Sequence, residues 1–227
     1  MKINCIITGA TGMVGKGVLL ECLDSDHVES VLVIGRRSLE MQHPKLKELV
    51  HKDFLNLDAV ADQLTGYNAC FFCMGVSAAG MKEADYHRLT YELVEHFVET
   101  LHPRNPEMVF NYVSGQGTDS SAQGRTMWAR IKGKTENMVL AKGFKDAYAF
   151  RPGAIIPRRD VTSSTRLYRI LITLFKPFFG LMAHSKNVTD TQRIGWAMMQ
   201  AVLKGHDVKV LEPPTLNGLA DDYLAGT

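Results

Sequence analysis

Residues 3–17 read I-N-C-I-I-T-G-A-T-G-M-V-G-K-G, and no other stretch limits the available folds as strongly. Ile3, Cys5, Ile6 and Ile7 make a short apolar run suited to a strand buried on both faces. Glycines at 9, 12 and 15 follow at once, and Met13, Val14, Val18, Leu19 and Cys22 then recur at helical spacing. Strand, glycine turn and helix in that order form a phosphate-binding layout. Glycine permits positive φ and close backbone approach, and a helix start offers unpaired N–H groups and partial positive charge to a pyrophosphate. Gly9, Thr11, Gly12, Met13, Val14 and Gly15 are therefore the first candidate cofactor contacts.

The second apolar run, Ser30–Gly35, ends in Arg36-Arg37-Ser38. In a dinucleotide-binding unit an acidic side chain at this tip accepts hydrogen bonds from a ribose 2′-hydroxyl, whereas arginine pairs with a 2′-phosphate. With Arg36 and Arg37 there and no carboxylate, the expected cofactor is NADP in preference to NAD. A third strand is expected over residues 48–54. The Asp53-Phe54 tip then lies near the adenine, unless Asp53 caps the helix suggested by residues 57–60. A fourth strand over residues 68–74 brings Cys73, Met74 and Gly75 to its end, where small residues leave room for a flat ring or ribose.

A helix predicted over residues 82–101 carries Tyr86, Leu89, Leu93, Val94, Phe97 and Leu101 on one stripe. A fifth strand over residues 107–113 ends in Ser114-Gly115. Then come a helix over 125–142 and a sixth strand, Asp146–Phe150, running into Arg151-Pro152-Gly153. A helix over 189–204 and a last strand over 207–211 complete the pattern. Strands alternating with helices at this spacing predict an α/β fold, a doubly wound parallel sheet of Rossmann type. The expected organisation is a single NAD(P)-binding domain over 1–227, with 155–227 forming a small substrate or lid region.

Composition excludes several classes of function. A net charge of +2 supports neither nucleic-acid binding nor an acidic tail. Cys5, Cys22, Cys70 and Cys73 read as buried thiols of a reducing compartment rather than metal ligands. With no signal peptide ahead of the first strand, the expected location is cytoplasmic. The apolar stretch Leu167 to Met182, interrupted by Arg169, Lys176 and Pro177, is too short and too charged to span a bilayer. It suits packing on the sheet or on a second copy in a homodimer, or else a peripheral membrane contact or a pocket cover.

These motifs together (T-G-A-T-G-M-V-G, G-R-R-S, V-S-G, I-K-G-K-T-E and F-R-P-G) resemble the short-chain dehydrogenase/reductase superfamily, in particular its atypical, NmrA-like NAD(P)H-binding branch. The resemblance covers about the first 155 residues. It implies a nicotinamide cofactor and a Ser-Tyr-Lys constellation with tyrosine four residues before lysine. Ser114 matches the serine, whose hydroxyl would meet a substrate carbonyl, and Lys132 the lysine, which would hold the nicotinamide ribose. Pro152, Gly153 and Ile155 match the segment beside the nicotinamide. Trp128 stands where the tyrosine belongs.

Indole does not exchange a proton near neutral pH, although it can orient a carbonyl, stack on a ring or simply face the core. Two functions stay open. One is an NADP-dependent oxidoreductase, or an epimerase/dehydratase relative, acting on a small-molecule carbonyl or hydroxyl compound. The other is a non-catalytic NADP(H)-binding protein that reports redox state to a regulatory protein partner.

Overall fold

The computed structural model describes residues 1–159, 161 and 185–226. The expected apolar segment Leu167 to Met182 lies outside them. β1 (Ile3–Thr8) leads through the glycine turn into α1 (Met13–Asp24), and β2 (Val28–Gly35) and β3 (Leu46–Val50) follow. A 3-10 helix (Asp58–Leu64) precedes β4 (Ala69–Phe72). Next come α2 (Glu83–His87), a π-helical turn (Arg88–Glu92) and α3 (Leu93–Leu101). β5 (Val109–Val113), α4 (Met127–Ala141) and β6 (Asp146–Phe150) carry the chain to β7 (Ala154–Ile156). After it are β8 (Val188–Asp190), α5 (Thr191–Lys204), β9 (Val210–Leu211) and α6 (Pro213–Ala225).

The main sheet has the order β3-β2-β1-β4-β5-β6-β9, and every neighbouring pair is parallel. β1 is thus central, and the winding reverses between β1 and β4. A ligand crevice opens outside the strand C-termini at such a switch point. Alternation along β1 serves both faces: Ile3, Cys5 and Ile7 pack with Val18, Leu19, Met198 and Tyr223, whereas Ile6 packs with Phe72, Phe97 and Phe110.

Small residues let α5 lie directly on α1. A Cβ on Gly17 would sit 2.5 Å from the Cβ of Thr191, and one on Gly195 would sit 3.0 Å from the Cβ of Glu21. Asp190 starts α5 by accepting from the backbone N–H groups of Gln192 and Arg193, at 3.0 and 2.9 Å.

Several boundaries differ from the sequence expectation for local reasons. β3 stops at Val50 because the imidazole of His51 bonds the carbonyls of Asp53 and Asn56, and Asp53 accepts from Leu55 N–H, which curls the chain away. Asp53 therefore shapes a turn and does not cap the 3-10 helix, whose N-cap is Leu57. β5 starts at Val109 because Met108 N–H turns back to the Asn105 carbonyl. The π-turn widens the long helix, so the apolar stripe slips: Tyr86 and Thr90 are buried, whereas Leu89 is 38% exposed. α6 and the small parallel sheet formed by β7 and β8 were not expected. Among the described residues no helix is long and apolar enough to cross a membrane.

Candidate cofactor and substrate site

Gly9 takes φ of +71°, and a Cβ there would sit 2.7 Å from the backbone of Cys73 and Met74, so only glycine lets the turn after β1 meet the end of β4. The buried hydroxyl of Thr8 fixes the same contact by accepting from Met74 N–H at 3.2 Å. Gly15 lies beneath, where a Cβ would come within 2.3 Å of the Gly9 carbonyl. Gly12 is the N-cap of α1 and brings no side-chain cap, and the first turn carries no acidic residue. The helix start therefore presents its backbone N–H groups to the crevice.

A cavity of about 640 Å³ opens above this turn. Gly9, Thr11 and Gly12 line one side, Arg36, Arg37, Lys52 and Phe54 another, and Cys73, Met74 and Gly75 the end of β4. Asp53 is exposed and does not line it. An adjoining cavity of about 440 Å³ is lined by Lys16, Arg37, Ser38 and Arg159. Burial lowers the Lys16 ammonium from its ordinary range, with Glu48 pulling the other way. Arg159 is already paired to Glu21 at 3.0 Å and Asp24 at 2.7 Å. Lys16 was not singled out in the sequence, although its place one turn into α1 faces it toward the β2 tip.

At the other end of the crevice lies a third cavity, of about 730 Å³. Gly12, Cys73, Met74 and Gly75 border both this cavity and the first, so the two form one cleft across the strand ends. Met13, Val14, Ser114, Trp128, Lys132 and Ile155 line it, which brings together residues from α1, β5, α4 and β7. Tyr86 also reaches it, whereas Tyr112 is in the core against Phe72, where burial pushes its phenol far up. Pro152 and Gly153 stand behind the lining. The Pro152 carbonyl accepts from Gln116 N–H at 3.0 Å, and a Cβ on Gly153 would lie 2.4 Å from the Asn187 carbonyl.

Lys132 extends along the cavity and donates to the Ser114 carbonyl at 2.5 Å. Burial pushes its ammonium down to about 8, against the upward pull of Glu136 one turn later. Ser114 departs from its expected role, because its hydroxyl donates to the buried Glu136 carboxylate and not toward the cavity. Glu136 in turn accepts from Arg151 at 2.5 and 3.0 Å. Arg151 goes on to Ser120 at 2.6 Å and Glu212 at 3.0 Å. This network was missed at the level of sequence. Glu136 and Arg151 lay inside the quoted K-G-K-T-E and F-R-P-G motifs, and the Lys132/Glu136 spacing of four put both on one helix face.

A parallel sheet with a glycine turn at its switch point, a continuous cleft across the strand ends and basic side chains at the β2 tip define a Rossmann fold of the nucleotide-binding type. Residues 5–135 match the NAD dependent epimerase/dehydratase family, and the chain belongs to that family. It is 28% identical over 159 residues to Protein HTATIP2 of Rattus norvegicus, an alignment taking in 69% of this chain and 64% of the rat protein. The mitochondrial protein FMP52 of Debaryomyces hansenii is 26% identical over 168 residues, covering 69% of each chain. Among solved structures, the Bordetella bronchiseptica enzyme WbmF in complex with NAD+ superposes with a TM-score of 0.67 at 11% identity. That match covers 99% of this chain and 78% of WbmF.

Proposed function

We propose that this protein binds NADP(H) along the cleft and acts as an oxidoreductase on a carbonyl or hydroxyl compound. The continuity of the cleft carries the reading: the glycine turn and the arginine pair lie at one end, and Lys132 lies at the other. Backbone N–H groups at the start of α1 would hold the pyrophosphate. Arg36 and Arg37, joined by Lys16 and Ser38, would hold the 2′-phosphate. Lys132 would meet the nicotinamide ribose and the carbonyl oxygen of a substrate.

A nicotinamide held there would supply hydride chemistry at the substrate carbon. The chain's task is to orient the oxygen and to manage its proton. Among the described residues lining the cavity, Lys132 is the group whose proton affinity lies nearest neutrality. Four free thiols support a reducing compartment, and the cytoplasm is our reading of it.

Titration of the purified protein with NADPH and NADH tests the cofactor. We expect tighter binding of NADPH, with the preference lost in Arg36→Ala or Arg37→Ala. Equal binding of the two cofactors by the wild type overturns the assignment. A second reading, a non-catalytic NADP(H)-responsive protein with a regulatory partner, draws support from Trp128 and from the committed Ser114 hydroxyl. It predicts no turnover of any carbonyl compound, together with partner binding that differs between NADP+ and NADPH.

A further inference from the structure

Several lysines have a carboxylate of their own: Lys142 has Glu99 at 3.7 Å, Lys145 has Glu107 at 3.2 Å and Lys209 has Asp146 at 2.7 Å. Lys132 pairs with none among the described residues. Glu136, one turn further along α4, is turned to Arg151 and to the Ser114 hydroxyl. The Lys132 side chain is half-buried, lines the third cavity and makes one hydrogen bond among the described residues, to the Ser114 carbonyl at 2.5 Å. An ammonium so placed gives up hydration without gaining a counter-ion, which favours the neutral amine and lowers the group to about 8. The neutral amine keeps its bond to Ser114 through one N–H and still carries a lone pair.

The other nucleophiles of the cavity are held back. Burial pushes the Cys73 thiol and the Tyr86 phenol up, so both keep their protons, and the Ser114 hydroxyl is committed to Glu136. We propose that Lys132 is a nucleophilic amine that captures aldehydes entering the third cavity as imines, a covalent chemistry separate from hydride transfer. Its nitrogen adds to the carbonyl carbon and one N–H proton passes to the oxygen, giving a carbinolamine. The C–O bond then breaks and water leaves with the second N–H proton, so amine plus aldehyde becomes imine plus water with no oxidant or reductant. Trp128, four residues earlier on the same face of α4, lines the same cavity and offers an aromatic face to the imine in its protonated form.

The test uses the full chain without cofactor and benzaldehyde as the probe. Cyanoborohydride fixes any imine as a benzylamine, and peptide mass spectrometry maps the sites and their rates. At about pH 7.5 an amine with a pKa of about 8 is about one-quarter neutral, against about one part in a thousand for an ordinary lysine. Lys132 should therefore be labelled at least about tenfold faster than any other lysine, and the advantage should vanish in urea-unfolded protein. Its rate should level off above about pH 9, where exposed lysines still gain. Lys132→Arg should lose the fast site, whereas Lys16→Arg, at the half-buried lysine of the second cavity, should keep it.

Even labelling of all lysines, a fast site elsewhere, or a Lys132 rate that still climbs beyond about pH 10 would each overturn the proposal. These readings come from the wild-type chain, so they hold even where a variant fails to fold. A further arm adds NADPH and keeps the two readings apart. Protection of Lys132 agrees with the cofactor placement proposed above, whereas fast labelling that NADPH leaves unchanged defeats that placement and supports the amine chemistry alone.

Discussion

Glu136→Gln tests whether the buried network holds α4, and with it Lys132 and Trp128, against the strand ends. The carboxylate is 1% exposed and accepts from the Ser114 hydroxyl and from two nitrogens of Arg151, itself 6% exposed. An amide of the same shape presents an NH2 group to one of those donors and removes the negative charge opposite the guanidinium. Loss of one partner from a buried ion pair costs about 3–5 kcal/mol. Arg151 keeps Glu212 at 3.0 Å, which places the expected loss at the lower end, about 3 kcal/mol.

For a chain of this length that loss lowers Tm by roughly 6–12 °C, at about 2–4 °C per kcal/mol. Thermal unfolding followed by circular dichroism reads it directly. The double variant with Ser114→Ala adds a second reading: if Glu136 takes the Ser114 proton, the two losses should fall short of additive by at least about 0.5 kcal/mol. A Tm within about 2 °C of wild type, or strict additivity, would refute the network as the anchor of α4.

Two further outcomes follow from the same helix. Because the Lys132 ammonium is lowered from 10.5 to about 8 in the folded state, the unfolded chain binds more protons between those values, so this group adds stability as pH rises from about 8 to 10.5. The gain is at most roughly 3 kcal/mol, and subtracting the profile of Lys132→Met in urea unfolding isolates it; parallel profiles would contradict the shift. In Gly133→Ala the new Cβ would lie 1.7 Å from the Asp119 carbonyl, so the loop of residues 119–124 must move. A loss of roughly 1–3 kcal/mol in urea unfolding is expected, and an unchanged midpoint would contradict the packing of α4 on that loop.

The sheet was legible because its central strands are mainly apolar runs, each ending in glycine or a polar tip, as in Ile3–Thr8 and Val28–Gly35. The glycine turn between β1 and α1 was legible because glycine spacing, strand and helix all pointed to one arrangement. What escaped depends on contacts distant in sequence. β7 and β8 are three residues each, and their pairing of 154–156 with 188–190 leaves no local pattern. The tie from Ser114 to Glu136 and Arg151 joins polar residues that any periodicity argument places on the surface. α6 had a signal that went unread: Leu216, Leu219, Ala220 and Tyr223 repeat at helical spacing after Pro213-Pro214. The π-turn is the opposite case, since a stripe that fits an ideal helix hides the extra residue that shifts Leu89 outward.

The packing of α1 on α5 also bears on how the protein is made. The helix that presents the glycine turn emerges from the ribosome early, yet the surface it rests on, from Thr191 onward, emerges late. Until then the face of α1 that carries Gly17 is uncovered, although the end of β4 already shapes the turn through Cys73 and Met74. The helix behind the glycine turn thus reaches its packed state only once Thr191 and the residues after it have been made, and a nascent chain halted before Thr191 would expose an apolar helix face to chaperones.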